Sequence, residues 1–182
     1  MPDLSSARRA PLAVPESALV RSLSPAARYI LRGGPQVMDA AGEVIGLSIG
    51  QAACRAAVNG DRAALWLGPD EQLLLVPEGS AAEVAGLLGS RLRDLPHSLV
   101  DVSHRQIALQ VSGPHAVTVL SAGCPLDLDC SAFPVGMCTR TMLAKAEIVL
   151  WRTADAIFRI EVWRSFAAYA SRFLAEAARE IV

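Results

Sequence analysis

The sequence predicts an α+β fold in which antiparallel sheets pack against helices. Short alternating apolar runs are separated by tight-turn residues, which favours hairpins. Two or three stretches with apolar residues three and four apart intervene at irregular intervals. The regular strand–helix alternation of a doubly wound parallel sheet is missing. At 182 residues the chain can bury a substantial core.

The elements follow in order. Residues 1–17 (MPDLSSARRAPLAVPES) hold three prolines and three serines without periodicity, and read as an extended N-terminal arm. A single compact unit is expected over 18–182, divisible into two interlocked lobes at about 18–96 and 97–182. Arg28–Arg32 reads as a strand stopped by Gly33-Gly34-Pro35. Gly42, Gly46 and Gly50 lack the order of a dinucleotide-binding loop and read as bulges and turns. Ala52–Val58 and Ala63–Leu67 flank Asn59-Gly60, whose tolerance of positive φ predicts a hairpin. After a turn at Leu67–Glu71 comes a continuous apolar strand, Leu73–Val76. Ser80–Leu92 sets Val84, Leu87, Leu88 and Leu92 on one helical face.

In the second half, Ser98–Ser103 and Gln106–Ser112 read as strands, and Ser112-Gly113-Pro114 opens a helix running through Leu120. Cys124–Gly136 is loop. Thr139–Leu143, Glu147–Arg152 and Ile157–Trp163 read as strands, the last two joined through Thr153–Ala156. Ser165 is the expected cap of a final helix with Phe166, Ala170, Phe173, Leu174 and Ala177 inward.

Seventeen basic and 18 acidic side chains leave a net charge of -1, so no long-range field holds nucleic acid or an anionic membrane. Charged residues make up 19% against 52% hydrophobic, a surface poor in solubilising groups that favours a protein partner. No apolar run reaches the ~20 residues of a membrane span. Val44–Cys54 is cut by Gly46, Gly50 and Gln51. The first residues lack the apolar stretch of a secretory signal, and a cytoplasmic protein is expected.

Catalytic and metal signals are weak. Cys54, Cys124, Cys130 and Cys138 form no C-x-x-C pair, and His97, His104 and His115 are not four apart, so no zinc site is expected and the thiols read as small buried side chains. Asp101-Val102-Ser103-His104 gathers an acid, a hydroxyl and an imidazole. Alternation along a strand nevertheless points Ser103 and His104 to opposite faces, which favours strand-end capping over catalysis. Asp127 and Asp129 lack the remainder of a calcium loop. No catalytic, cofactor-binding or metal-ligating residue is assigned in this chain.

Tryptophan and arginine say more. Along Ile157–Trp163, Phe158, Ile160 and Val162 share one face while Ile157, Arg159, Glu161 and Trp163 share the other. Because Trp and Arg dominate interface hot spots, Trp151, Arg152, Arg159, Trp163 and Arg164 become subunit-interface candidates. The competing reading has Trp163 covering a second layer of core.

The segments LGPDE, DVSHR, SGPHA, CPLDL, TRTMLAKAEIVLWR and EVWRSFA are specific only together. From about Ala26 onward the chain resembles the gamma-subunit family of heterotetrameric sarcosine oxidases. That family is similar to the folate-binding aminomethyltransferase group typified by the glycine cleavage T-protein. Gln72 departs from the pattern, where relatives carry an aromatic. The resemblance implies a T-protein N-terminal-domain-like fold and a non-catalytic subunit in a complex that demethylates sarcosine to glycine, with hydrogen peroxide and 5,10-methylenetetrahydrofolate as further products. It implies alpha, beta and delta partner subunits, alpha above all, and places FAD, FMN, NAD, zinc and the tetrahydrofolate site in those other chains. T-proteins enter the corresponding strand through glycines and two aspartates. Here the entry reads Ala144-Lys145-Ala146-Glu147, so no catalytic residue carries over. Two alternatives stand beside this: the equivalent subunit of a related methylated-amine dehydrogenase complex, such as one for N-methylglutamate, and a stand-alone folate-dependent aminomethyltransferase-like protein. Made alone, the chain is expected to self-associate.

Overall fold

A computed structural model describes residues 19–50 and 52–181. The arm expected over 1–17 lies outside the described residues. Ten strands and four helices form among them. The strands are β1 (Val20–Ser22), β2 (Ala26–Gly33), β3 (Ala56–Asn59), β4 (Arg62–Gly68), β5 (Glu71–Pro77), β6 (His97–Asp101), β7 (Gln106–Ser112), β8 (Cys138–Leu143), β9 (Ala146–Ala154) and β10 (Ile157–Trp163). The helices are α1 (Pro35–Ile45), α2 (Ala81–Arg91), α3 (Ala116–Ser121) and α4 (Ala167–Arg179), with 3₁₀ turns at Glu78–Ser80 and Arg164–Phe166. All strand pairs are antiparallel, in the orders β3-β4-β5-β2-β6 and β1-β7-β10-β9-β8. The α+β class is therefore the one observed.

Among the described residues the chain divides into two compact units, one within 26–103 and the other comprising 104–181 with 19–25. The division falls at 103/104 rather than near 96, because β6 pairs with β2 and stays with the earlier residues. Likewise β1 pairs with β7, which assigns it to the later unit and not to an 18–96 lobe.

In the unit spanning 26–103, one sheet face presents Ala27, Tyr29, Leu31, Ala64, Leu74 and Val76 to the buried stripes of α1 and α2. Leu73 and Leu75, facing the other way, are buried too, as the unbroken apolar run predicts. The Asn59-Gly60 hairpin forms with Gly60 at φ 61°, the left-handed region that a two-residue loop demands. Its first strand is shorter than expected and begins at Ala56.

Where the sequence predicts only turns, at Gly33-Gly34-Pro35 and the spaced glycines, the chain forms helix α1. These residues instead punctuate a helix. Gly34 is its N-cap, Pro35 opens the first turn, and Gly46 ends it in the left-handed conformation at φ 70°. The last carbonyls are capped from the hairpin: Asn59 Nδ2 donates to Gly46 O at 2.9 Å and Arg62 Nη1 to Ile45 O at 3.3 Å. Gly42 is required because a Cβ there would lie 2.4 Å from the Leu47 carbonyl oxygen. In α2, Val84, Leu88 and the following Leu92 are buried as expected, whereas Leu87 is 49% exposed. The stripe is narrower because Leu87 falls on the solvent side of Leu88.

In the later unit, Leu109, Val111, Ile148, Leu150, Phe158, Ile160 and Val162 form the sheet side of the core, and α3 and α4 close it with Val119, Leu120, Ala170 and Leu174. Ser165 does not cap α4. A 3₁₀ turn precedes the helix and Phe166 occupies the N-cap position with 39% exposure, whereas Ala170 and Leu174 are buried as expected, Phe173 and Ala177 pack partly buried against the core, and Ala178 is buried as well. Among the described residues no helix is long and apolar enough to cross a membrane.

Candidate functional site

Strands β7, β10 and β9 bring the sequence-derived candidates onto one sheet but not onto one surface. Arg152 lies on the helix-covered face, opposite Phe158 across the β10–β9 ladder. It is buried at 5% exposure and donates to the carbonyls of Leu128, Phe133 and Asp155, with its guanidinium carbon 5.1 Å from the Phe158 ring centre. It therefore pins the 124–136 loop to the sheet, with little of its side chain at the surface. Trp151 is also buried, at 8%, and its Nε1 has no hydrogen-bond partner. Its place in mid-strand β9, and not at an exposed end, removes it from the accessible surface.

Along β10 the expected alternation holds, with Phe158, Ile160 and Val162 fully buried. The opposite face is less open than the sequence suggested. Glu161 is 1% exposed and accepts from Arg159 Nε at 2.8 Å, with Arg159 Nη2 2.7 Å away. A pair this deep offsets desolvation mainly by charge-assisted hydrogen bonding. Trp163, at the strand end, is 38% exposed, and Arg164 follows it partly exposed.

The residues missed by sequence reasoning are Arg105 and Gln106. The β10–β7 register sets Gln106 beside Trp163. Arg164 N–H donates to Arg105 O at 2.7 Å, which prolongs that ladder, and the Arg105 guanidinium lies 4.7 Å from the centre of the Trp163 ring. Nothing local marks these two residues, since the contact exists only through pairing of distant strands.

The polar groups that suggested chemistry are occupied. Ser103 Oγ is buried, accepts from Arg28 N–H at 2.9 Å and lies 3.4 Å from Arg28 O. Ser103 N–H in turn donates to Asp101 Oδ1 at 2.8 Å, so the segment caps a strand end while His104 is exposed. Asp127 and Asp129 accept from backbone N–H groups two residues on, closing successive turns. The Ser131 hydroxyl and N–H hold the Asp129 carboxyl below the usual carboxylate range. Cys124 and Cys138 are buried as expected, Cys54 only partly, and Cys130 is exposed. Among the described residues no group of three His, Cys, Asp or Glu side chains could hold a metal ion.

The β8–β9 turn is where the resemblance would place a folate-assisting acid pair. Ala144 sits there at φ 51°, with its N–H donating to Gly123 O at 2.8 Å. Gly123 is tightly confined, since a Cβ would meet the Phe173 ring at 2.6 Å. Lys145 N–H donates to the Tyr169 hydroxyl at 3.4 Å. Glu147 is exposed and stands alone. These residues do not fit a folate reaction that needs two carboxylates.

The architecture defines an α+β protein in which each of two antiparallel sheets packs against helices. Glycine cleavage system aminomethyltransferase T from Bartonella henselae matches with a TM-score of 0.60 over 87% of this chain and 44% of that one, a likeness of fold alone at 15% identity. A chain of the heterotetrameric sarcosine oxidase from Corynebacterium sp. U-96, in complex with pyrrole 2-carboxylate, matches with a TM-score of 0.83 at 31% identity over 88% of this chain and 83% of that one. Residues 33–180 match the model of the sarcosine oxidase, gamma subunit family, and the chain belongs to that family. Sarcosine oxidase subunit gamma of Corynebacterium sp. (strain P-1) is 41% identical over 118 residues, which are 65% of this chain and 57% of that one. The Arthrobacter sp. protein of the same description is 44% identical over 93 residues, 51% of this chain and 45% of that one. The matched part thus spans about half the length of the curated relatives.

Proposed function

We propose that the chain is the gamma subunit of a cytoplasmic heterotetrameric sarcosine oxidase, a docking subunit whose own residues perform no chemical step. The observation that carries this reading is the family match over residues 33–180. Structural work already done by Asp101, Ser103, Asp129 and Arg152 supports the non-catalytic part, as does the lone exposed carboxylate of Glu147. On this reading the complex converts sarcosine, oxygen and tetrahydrofolate into glycine, hydrogen peroxide and 5,10-methylenetetrahydrofolate. The alpha, beta and delta subunits hold FAD, FMN, NAD, zinc and the folate site.

The test compares the purified chain alone with the chain co-expressed with alpha, beta and delta subunits. Alone it is expected to be colourless and inert toward sarcosine and reduced folate, while the assembly carries flavin absorbance and forms peroxide. Turnover by the lone chain that disappears in Glu147→Gln would favour a folate-dependent enzyme and overturn the docking reading.

A further inference from the structure

Strand β6 closes one edge of the sheet in the unit within 26–103, and β2 is its one neighbour among the described residues. Two bonds at the ends of β2 fix which backbone groups that edge presents. Val102 N–H donates to Arg28 O at 2.8 Å in line with the β2–β6 register, and Gly33 N–H donates to Asp70 O at 3.0 Å in line with the β2–β5 register. Such bonds recur at every second residue of an antiparallel ladder, so Ile30 and Arg32 turn toward β6 and are met by Val100 and Ser98. His97 and Leu99 therefore direct their N–H and C=O groups outward from the edge. Both faces of the strand are open as well. His97, Ser98, Val100 and Asp101 are exposed, Val100 at 49%, and Leu99 is a half-buried residue at the margin of the core. Across Ser98-Leu99-Val100 no charge, proline or bulge guards the edge.

We infer that β6 pairs with the β6 of a second copy of this chain, antiparallel about a two-fold axis centred on Leu99, joining two five-stranded sheets into one. Leu99 then exchanges two reciprocal N–H···O=C bonds with its counterpart, and the two side chains meet over the core margin that each half covers. His97 comes opposite Asp101 of the second copy, twice, and Val100 opposite Ser98. Ser103 N–H holds the Asp101 carboxylate at the strand end. The strand is its own complement in this register. A slip of one residue opposes outward groups to inward ones, and a slip of two sets His97 against Leu99 or Leu99 against Asp101. The matching of imidazole to carboxylate commits the edge to a second copy rather than to an unrelated strand. The pairing concerns the chain by itself and stands whether or not the docking-subunit reading does.

The test follows the isolated full chain by sedimentation and amide-exchange NMR from about 10 µM to about 1 mM. A monomer–dimer equilibrium is expected, in which Leu99 N–H exchange slows about tenfold or more as the dimer forms. Ser98 and Val100, already bonded to β2, should keep their rates at every concentration. Leu99→Pro removes the outward N–H without touching the β2 ladder, a substitution that an edge strand accepts, and should raise the dimer Kd about tenfold or more. His97→Asp opposes like charges twice across the seam and should weaken dimerisation about fivefold. Circular dichroism melts check both variants, and the exposed His97 position keeps the test decisive if Leu99→Pro does not fold. Association through the exposed Trp163 leaves Leu99 exchange unchanged, so the two contacts are distinguished. The inference is overturned by a chain that stays monomeric at about 1 mM, by a dimer whose Leu99 N–H exchanges as in the monomer, or by a folded His97→Asp variant that dimerises like the wild type.

Discussion

Arg152 donates to three backbone carbonyls and packs on Phe158, so its removal strands buried acceptors in the 124–136 loop. Arg152→Met is expected to lower unfolding free energy by about 2–4 kcal/mol in urea denaturation. Trp163→Ala, at the exposed strand end, should cost about 1 kcal/mol or less in the same measurement. That contrast separates a scaffold arginine from a surface tryptophan although both looked alike as candidates. Residue type announced hot-spot chemistry at both places, but burial assigned only one of them to the surface. Asp129 offers a pH test. The Ser131 hydroxyl, its largest influence, and then the Ser131 N–H favour the ionised carboxylate, so its proton leaves below the ordinary range. The turn's contribution is present above the ordinary carboxylate pKa and fades as pH falls through the lowered value. Carboxyl NMR titration of Ser131→Ala should show the Asp129 pKa moving upward.

Hairpins and the two longer amphipathic stretches were legible because period-2 and period-3.6 patterns survive in the sequence whatever surrounds them. Helix α1 was not, because glycine and proline mark helix ends and turns alike, and only packing shows which. Gly42 decides the matter: its absent side chain admits the Leu47 carbonyl at the helix end. Gly42→Ala is therefore expected to destabilise by about 2–4 kcal/mol, since backbone must shift to relieve the contact. Gly86→Ala, in α2 with open space around it, should instead stabilise by about 0.5–1 kcal/mol through helix propensity and unfolded-chain entropy. Thermal unfolding of the two variants reads opposite signs. Along β10 the alternation sorted residues correctly into two faces, yet parity does not tell which face is open. Glu161 was for that reason expected at the surface and is found buried beside Arg159. Arg105 and Gln106 were illegible for a related reason, since strand register decides who meets Trp163.

Across the molecule, each unit closes its own hydrophobic core, and Asp101, Ser103, Asp127 and Asp129 serve turns and strand ends. A chain with 19% charged residues and exposed Trp163, Phe166 and Tyr169 has surface to give to partners. Sedimentation of the isolated chain should accordingly show concentration-dependent self-association, weakened by Trp163→Ala. Native mass spectrometry of the four co-expressed subunits is expected to show a particle containing one copy each of alpha, beta, delta and this chain. A stable three-subunit particle, with this chain left free in the same sample, would contradict the docking-subunit reading.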